Sequence, residues 1–152
     1  MDWQESDLEA MHLLIPRLIG AFQRNFHREV ANFGLTFPQF MALISLERTE
    51  GTARMGPLAA AALQSSASMT GIVDRLLERG LVERQHDDQD RRSVVVRLTE
   101  EGQRLLAQIK DVRYQRIHQL VQHLSPQERA CLRGVLTKMI SVLEENRDAA
   151  TL

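Results

Sequence analysis

From His86 to Thr99 the chain reads His86-Asp87-Asp88-Gln89-Asp90-Arg91-Arg92-Ser93-Val94-Val95-Val96-Arg97-Leu98-Thr99. Two strand-like segments enclose a tight turn loaded with Asp and Arg. A narrow minor groove has enhanced negative potential, and an arginine at a hairpin tip reaches into it where a helix cannot. Arg91 and Arg92 are placed for that role. Asp90, two residues before Arg92, can bridge to its guanidinium and fix its direction. An exposed ion pair adds only about 0 to 1 kcal/mol of stability, so stability alone explains the cluster poorly. The chemistry on offer is recognition of a polyanion, and the first candidate is DNA.

A second set of residues lies just upstream. In a helix from about Ser66 to Arg79, Met69, Ile72, Val73 and Leu76 share one face and must be core. The other side and its flanks carry Ala67, Ser68, Thr70, Gly71, Asp74, Arg75 and Glu78. Residues at the start of such a helix enter a major groove: small Ala67 and Gly71 allow close approach, and Ser66, Ser68 and Thr70 bond phosphates or base edges. Arg75 and Arg84 are assigned to phosphates.

Composition sets the limits on this chemistry. The net charge is -1, so diffuse polyanion binding of the histone kind is excluded and any contact must come from local clustering. Of 19 basic residues only Lys110 and Lys138 are lysines. Arginine forms bidentate contacts where lysine acts as a point charge, which hints at positioned contacts, while a high-GC genome gives the same bias. The single cysteine, Cys131, excludes an intrachain disulfide and a Cys-based zinc site, and reads as a small core or interface residue. His118 and His123, five apart, do not share a helical face as an i, i+4 pair does, and His12 and His27 have no clear partner ligand, so no metal is expected. There is no nucleophile with a base and no phosphate-binding glycine loop; neither an enzyme nor a cofactor is expected. No stretch approaches the ~18 consecutive apolar residues of a membrane span, and the expected location is the cytoplasm.

The elements that must position these residues are legible in turn. Ser6-Asp7-Leu8-Glu9 has capping-box form, and Leu8, Met11, Ile15, Leu18, Phe22, Phe26, Val30 and Phe33 follow at helical spacing to Gly34. Pro16 predicts a kink or short break near residues 12 to 16. Thr36-Phe37-Pro38-Gln39 opens a second helix to about Glu47, followed by a polar loop through Gly51 and Arg54. Gly56-Pro57 starts a short third helix with Leu58 to Leu63 as its body. Gly80 closes the fourth, with Leu81 placed to fold back on Leu76.

Residues 81–86 and 93–98 change to period two, with Val94, Val96 and Leu98 on one face of a hairpin. Thr99 caps a long helix carrying Leu105, Ile109, Val112, Ile117, Leu120 and Leu124. Ser125-Pro126-Gln127-Glu128 opens the last, with a frayed tail expected after Asn146.

The expected fold is mainly α with a small β-hairpin, in the order α-α-α-α-β-β-α-α: a winged helix-turn-helix plus a helical dimerisation layer. Residues 35–99 form the DNA-binding domain, and residues 1–34 and 100–152 the dimerisation region. The long terminal helices cannot bury their apolar faces on the central core alone, and a second copy of the chain is the natural partner.

The sequence resembles the MarR family of bacterial transcription regulators. The resemblance rests on Leu35-Thr36-x-x-Gln39, Leu58-Ala59, Val73-Asp74-Arg75-Leu76, Arg79-Gly80-Leu81-Val82-Glu83-Arg84, Asp90-x-Arg92 and Val96-x-Leu98-Thr99-Glu100-Glu101-Gly102. It implies a homodimer that binds double-stranded DNA at a palindromic operator, with Ser66 to Arg75 as recognition helix and Asp90 and Arg92 as the wing's aspartate and minor-groove arginine. Two departures stand out. Asp87-Asp88 replaces the frequent Asp-Pro at the wing, which adds negative charge beside Arg91 and Arg92. Leu63-Gln64 occupies the turn where many relatives carry Gly.

The resemblance also implies release of DNA on binding a small phenolic or lipophilic effector. For such a ligand His12, Arg17, Phe22, Phe26, Phe37 and Met41 are the candidate lining. The function expected is therefore that of a dimeric, sequence-specific regulator, most often a repressor; the alternative is an architectural or ligand-insensitive DNA-binding dimer.

Overall fold

The computed structural model describes residues 5–86 and 94–149. Its elements run α1 (Glu5–Asn32), α2 (Phe37–Arg48), β1 (Thr52–Arg54), α3 (Met55–Ala61), α4 (Ser66–Glu78), β2 (Val82–His86), β3 (Val94–Leu98), α5 (Glu100–Val121) and α6 (Pro126–Ala149). They divide into two compact units, one up to Val112 and one from Arg113 onward.

The fold is mainly helical with a small antiparallel sheet, as expected, but the sheet has three strands in the order β1-β3-β2. The sequence reads Thr52 to Arg54 as loop because three residues are too few for an alternation to show. Pairing makes the strand: Thr52 lies opposite Arg97, Ala53 opposite Val96 and Arg54 opposite Val95. This puts β3 in the centre. Val95, Val96 and Leu98 are buried while Val94 stays exposed, so the face expected for Val94, Val96 and Leu98 holds only for the last two.

Helix α1 runs unbroken through Pro16, against the break expected there. Proline removes one donor from the ladder, and the bonds of the adjoining turns carry the helix across that gap. Ser6 already lies inside this helix rather than at its cap. Along α1 the environment changes. Leu8, Leu14, Leu18 and Phe22 are exposed, whereas Val30 is fully buried and Phe26 and Phe33 pack against the core. That core is filled by Phe40, Leu43 and Leu46 from α2, Met69, Val73 and Leu76 from α4, Val96 from β3, and Leu106 and Ile109 from α5.

The junctions follow their capping chemistry. Thr36 accepts from the Gln39 backbone N–H at 3.4 Å while the Gln39 side chain accepts from the Thr36 N–H at 2.8 Å, a reciprocal box worth about 1 kcal/mol. Gly80 sits in the left-handed region at φ +66, and the Leu81 N–H donates to the Leu76 carbonyl at 3.0 Å, ending α4 as the sequence predicts. Thr99 does two jobs: its hydroxyl donates to the Gly80 carbonyl at 2.7 Å and accepts from the Gly102 N–H at 3.1 Å. Gly102 is the tight point of this junction, since a Cβ there would lie 2.3 Å from the Leu81 carbonyl oxygen.

In the second unit Ser125 and Glu128 form the expected capping box, with the Ser125 N–H donating to Glu128 at 2.8 Å. That bond, and the one from the Ser125 side chain, hold the Glu128 carboxyl below its ordinary range. Helix α6 continues to Ala149, beyond the Asn146 expected from sequence. Leu132, Val135, Leu136, Met139, Ile140 and Leu143 are exposed on it. Cys131 is exposed too, which removes the core alternative for that residue. No helix among the described residues is long and apolar enough to cross a membrane, and no group of three or more His, Cys, Asp or Glu is placed to hold a metal.

Candidate nucleic-acid interface

Helix α4 begins at a serine cap: the Ser65 hydroxyl accepts from the Ser68 N–H at 3.1 Å and donates to the Ser68 hydroxyl at 2.9 Å. From there the helix has two faces. Met69, Val73 and Leu76 are buried, and Ser66, Ala67, Ser68, Thr70, Gly71 and Arg75 are all exposed. A Cβ built at Gly71 meets nothing within 4 Å, so the surface is open at that position. The Thr70 hydroxyl donates to the Ser66 carbonyl at 3.2 Å, which commits its proton and leaves its oxygen an acceptor. Ahead of the cap, Leu63 stands at φ 55, a conformation that costs a non-glycine residue about 1 to 2 kcal/mol. The turn where relatives often place Gly therefore keeps its left-handed geometry with a leucine in it.

The arginines divide by partner. Arg75 is exposed and borders a small cleft with Thr36, Gln39, Ser68 and Gly71, where the start of α2 meets the outer side of α4. Arg84, assigned to phosphate by sequence, is engaged within the protein: its Nη2 donates to the Asp74 carboxylate at 2.6 Å, with the two side chains 43% and 49% exposed. Arg79 reaches from the end of α4 to the end of α1, donating to the Gly34 carbonyl at 2.6 Å and to the Phe33 carbonyl at 3.0 Å. Asp90, Arg91 and Arg92, with Asp87 and Asp88 before them, lie outside the described residues.

The six residues proposed to line an effector site are not brought together. Phe26 meets Phe37 edge-on with ring centroids 5.7 Å apart, His27 stacks on Phe37 at 4.8 Å, and Met41 rests against the same core. His12, Arg17 and Phe22 lie further along α1 and are exposed. At 1.5 Å per residue, the helix carries His12 about 20 Å from Phe26. Their choice as aromatic and basic groups on the first and second helices takes no account of distance along α1.

Sequence reasoning missed the two arginine links of α4. Asp74 and Arg84 are opposite charges flanking the helix-to-strand turn at Gly80, a signal that was present. The Arg79 contact spans 45 residues and ends on main-chain carbonyls, which carry no side-chain signature.

Comparison with known proteins agrees with this geometry. A family model described as "MarR family" matches residues 33–93. The chain is 31% identical over 147 residues to the transcriptional repressor MprA of Escherichia coli, covering 93% of this chain and 84% of that protein. It is 35% identical over 123 residues to the HTH-type transcriptional repressor NicR of Pseudomonas putida, covering 79% of this chain and 77% of that one. Among solved structures, a MarR family protein from Bacillus stearothermophilus superposes with a TM-score of 0.82 at 24% identity, over 94% of this chain and 99% of that chain.

Proposed function

The chain belongs to the MarR family of transcriptional regulators, and from that premise we propose that it is a homodimeric repressor of an inverted-repeat operator. The family's members are DNA-binding regulators and not enzymes. The observation that carries the reading is the outward face of α4, where Ser66, Ala67, Ser68, Thr70 and Gly71 are all exposed on a helix whose other face is buried. Small and hydroxylated side chains at a helix start suit entry into a major groove. Arg75 is the phosphate contact beside it, Arg84 is a phosphate contact held in reserve by Asp74, and Asp90, Arg91 and Arg92 form the minor-groove probe.

The dimer reading is supported by exposed apolar surface. Leu8, Leu14, Leu18 and Phe22 on α1, and Leu136, Met139 and Ile140 on α6, lie open in the single chain, and runs of this kind mark interfaces. Residues 1–34 and 100–152 are thus the proposed dimerisation region, and residues 35–99 the DNA-binding domain. Two copies would set their recognition helices about one DNA turn, roughly 10 bp, apart. The names of MprA and NicR favour repression. For the effector, a small phenolic or lipophilic molecule, the aromatic group of Phe26 and Phe37 with nearby Met41 is the supported part of the lining. Such a protein works in the cytoplasm, beside the chromosome.

The test is binding of the purified chain to its own promoter region against random duplex, with sedimentation in parallel. A clear promoter preference by a dimer is expected. Equal binding to both duplexes would end the specific-regulator reading.

A further inference from the structure

We propose that Arg79 is a positioning residue for operator recognition, pinning the C-terminal end of α4 to the end of α1 and so setting the angle at which the exposed start of α4 meets DNA. The proposal rests on the DNA-binding reading above.

Arg79 is the residue at which α4 ends, and its guanidinium forks onto two successive main-chain carbonyls, Gly34 at 2.6 Å and Phe33 at 3.0 Å. These carbonyls belong to the turn that follows α1. Gly34 is at φ +69, and a Cβ on it would stand 3.5 Å from Arg79 Nη2, so the guanidinium lies in ordinary van der Waals contact with the turn. A planar fork held at two points fixes direction as well as distance, which a single point charge does not. The link joins α4 to the turn after α1, a helix whose early half carries the exposed apolar residues Leu8, Leu14 and Leu18.

The lever is long enough to matter. Helix α4 has 13 residues, about 20 Å at 1.5 Å each. A tilt of about 10° at the pinned end would move Ser66 by about 3 Å, more than the tolerance of a direct hydrogen bond to a base edge. Contacts to phosphates through flexible side chains survive such a shift far better. Loss of the pin should therefore reduce specific binding and leave non-specific binding unchanged.

An exposed arginine beside a recognition helix would ordinarily be assigned to a phosphate. The geometry argues otherwise, because Arg79 lies at the opposite end of α4 from Ser66 to Gly71 and its fork is aimed at α1. Salt dependence separates the two roles. Each phosphate contact contributes about 0.9 to the slope of log K against log salt, and a positioning residue contributes nothing.

The experiment uses the full chain and two variants, Arg79→Gln and Arg79→Lys, titrated on the promoter duplex and on random duplex over a salt series. Arg79→Gln should bind the promoter about 10-fold more weakly, with an unchanged salt slope and unchanged random-duplex affinity. Arg79→Lys, which keeps one donor group in reach of the carbonyls, should recover part of that loss. A slope lowered by about 0.9 in Arg79→Gln would make Arg79 a phosphate contact and overturn the proposal, as would wild-type promoter affinity in that variant. Circular dichroism monitors folding. Should Arg79→Gln not fold, Arg79→Lys decides: promoter affinity lowered with random-duplex affinity intact supports the pin, and wild-type affinity for both overturns it. A wild-type chain without promoter preference overturns the underlying reading and this assignment with it. A specific wild type with an equally specific Arg79→Gln overturns this assignment alone.

Discussion

The Nη2 of Arg84 lies 2.6 Å from the Oδ1 of Asp74, tying the first strand of the wing to the middle of α4. The pair sits half-exposed, so its contribution to stability is at most about 1 kcal/mol. Its consequence is electrostatic: a carboxylate on α4 holds a guanidinium that would otherwise be free for phosphate.

Replacing Asp74 should release that guanidinium. Asp74→Ala is expected to change the unfolding free energy by less than about 1 kcal/mol and to tighten binding to random duplex. The salt slope should steepen by about 0.9 as Arg84 takes up a phosphate. A salt titration in which the slope does not change would show that Asp74 does not keep Arg84 from phosphate.

Arg75 and Arg92 are expected to behave alike although they sit on different elements. Arg75→Ala and Arg92→Ala should each weaken duplex binding and flatten the salt slope by about one. Titration of both variants on the same duplex is the check, and a variant whose slope matches wild type leaves the list of contacts.

Gly102 should tolerate no side chain. In Gly102→Ala the new Cβ would meet the Leu81 carbonyl oxygen at 2.3 Å and Leu98 Cδ1 at 2.6 Å, and the backbone atom has no freedom to swing aside. Overpacking of this kind costs about 1 to 3 kcal/mol, so thermal unfolding should shift several degrees lower. Because the contact joins the start of α5 to the residue just before β2, wing-dependent binding should weaken as well. A variant with wild-type melting temperature would mean the junction is looser than these distances indicate.

The sequence by itself determined the order of the helices, their caps at Thr36, Thr99 and Ser125, the hairpin, and which face of α4 is buried. Those features are local: a cap needs a side chain three residues from its partner, and a helix face needs only a period. The family resemblance likewise came from short motifs between Leu35 and Gly102. Tertiary structure alone decided what depends on distance in space. It made a strand of Thr52 to Arg54, because three residues become β only when β3 lies beside them. It set His12 and Arg17 well apart from Phe26 and Phe37, since a helix spaces its residues at about 1.5 Å each. And it gave two arginines partners within the protein, Arg84 the carboxylate of Asp74 and Arg79 the carbonyls of Phe33 and Gly34. An arginine in sequence is only a charge with donors; what it binds is set by the acceptors that folding brings within 3 Å.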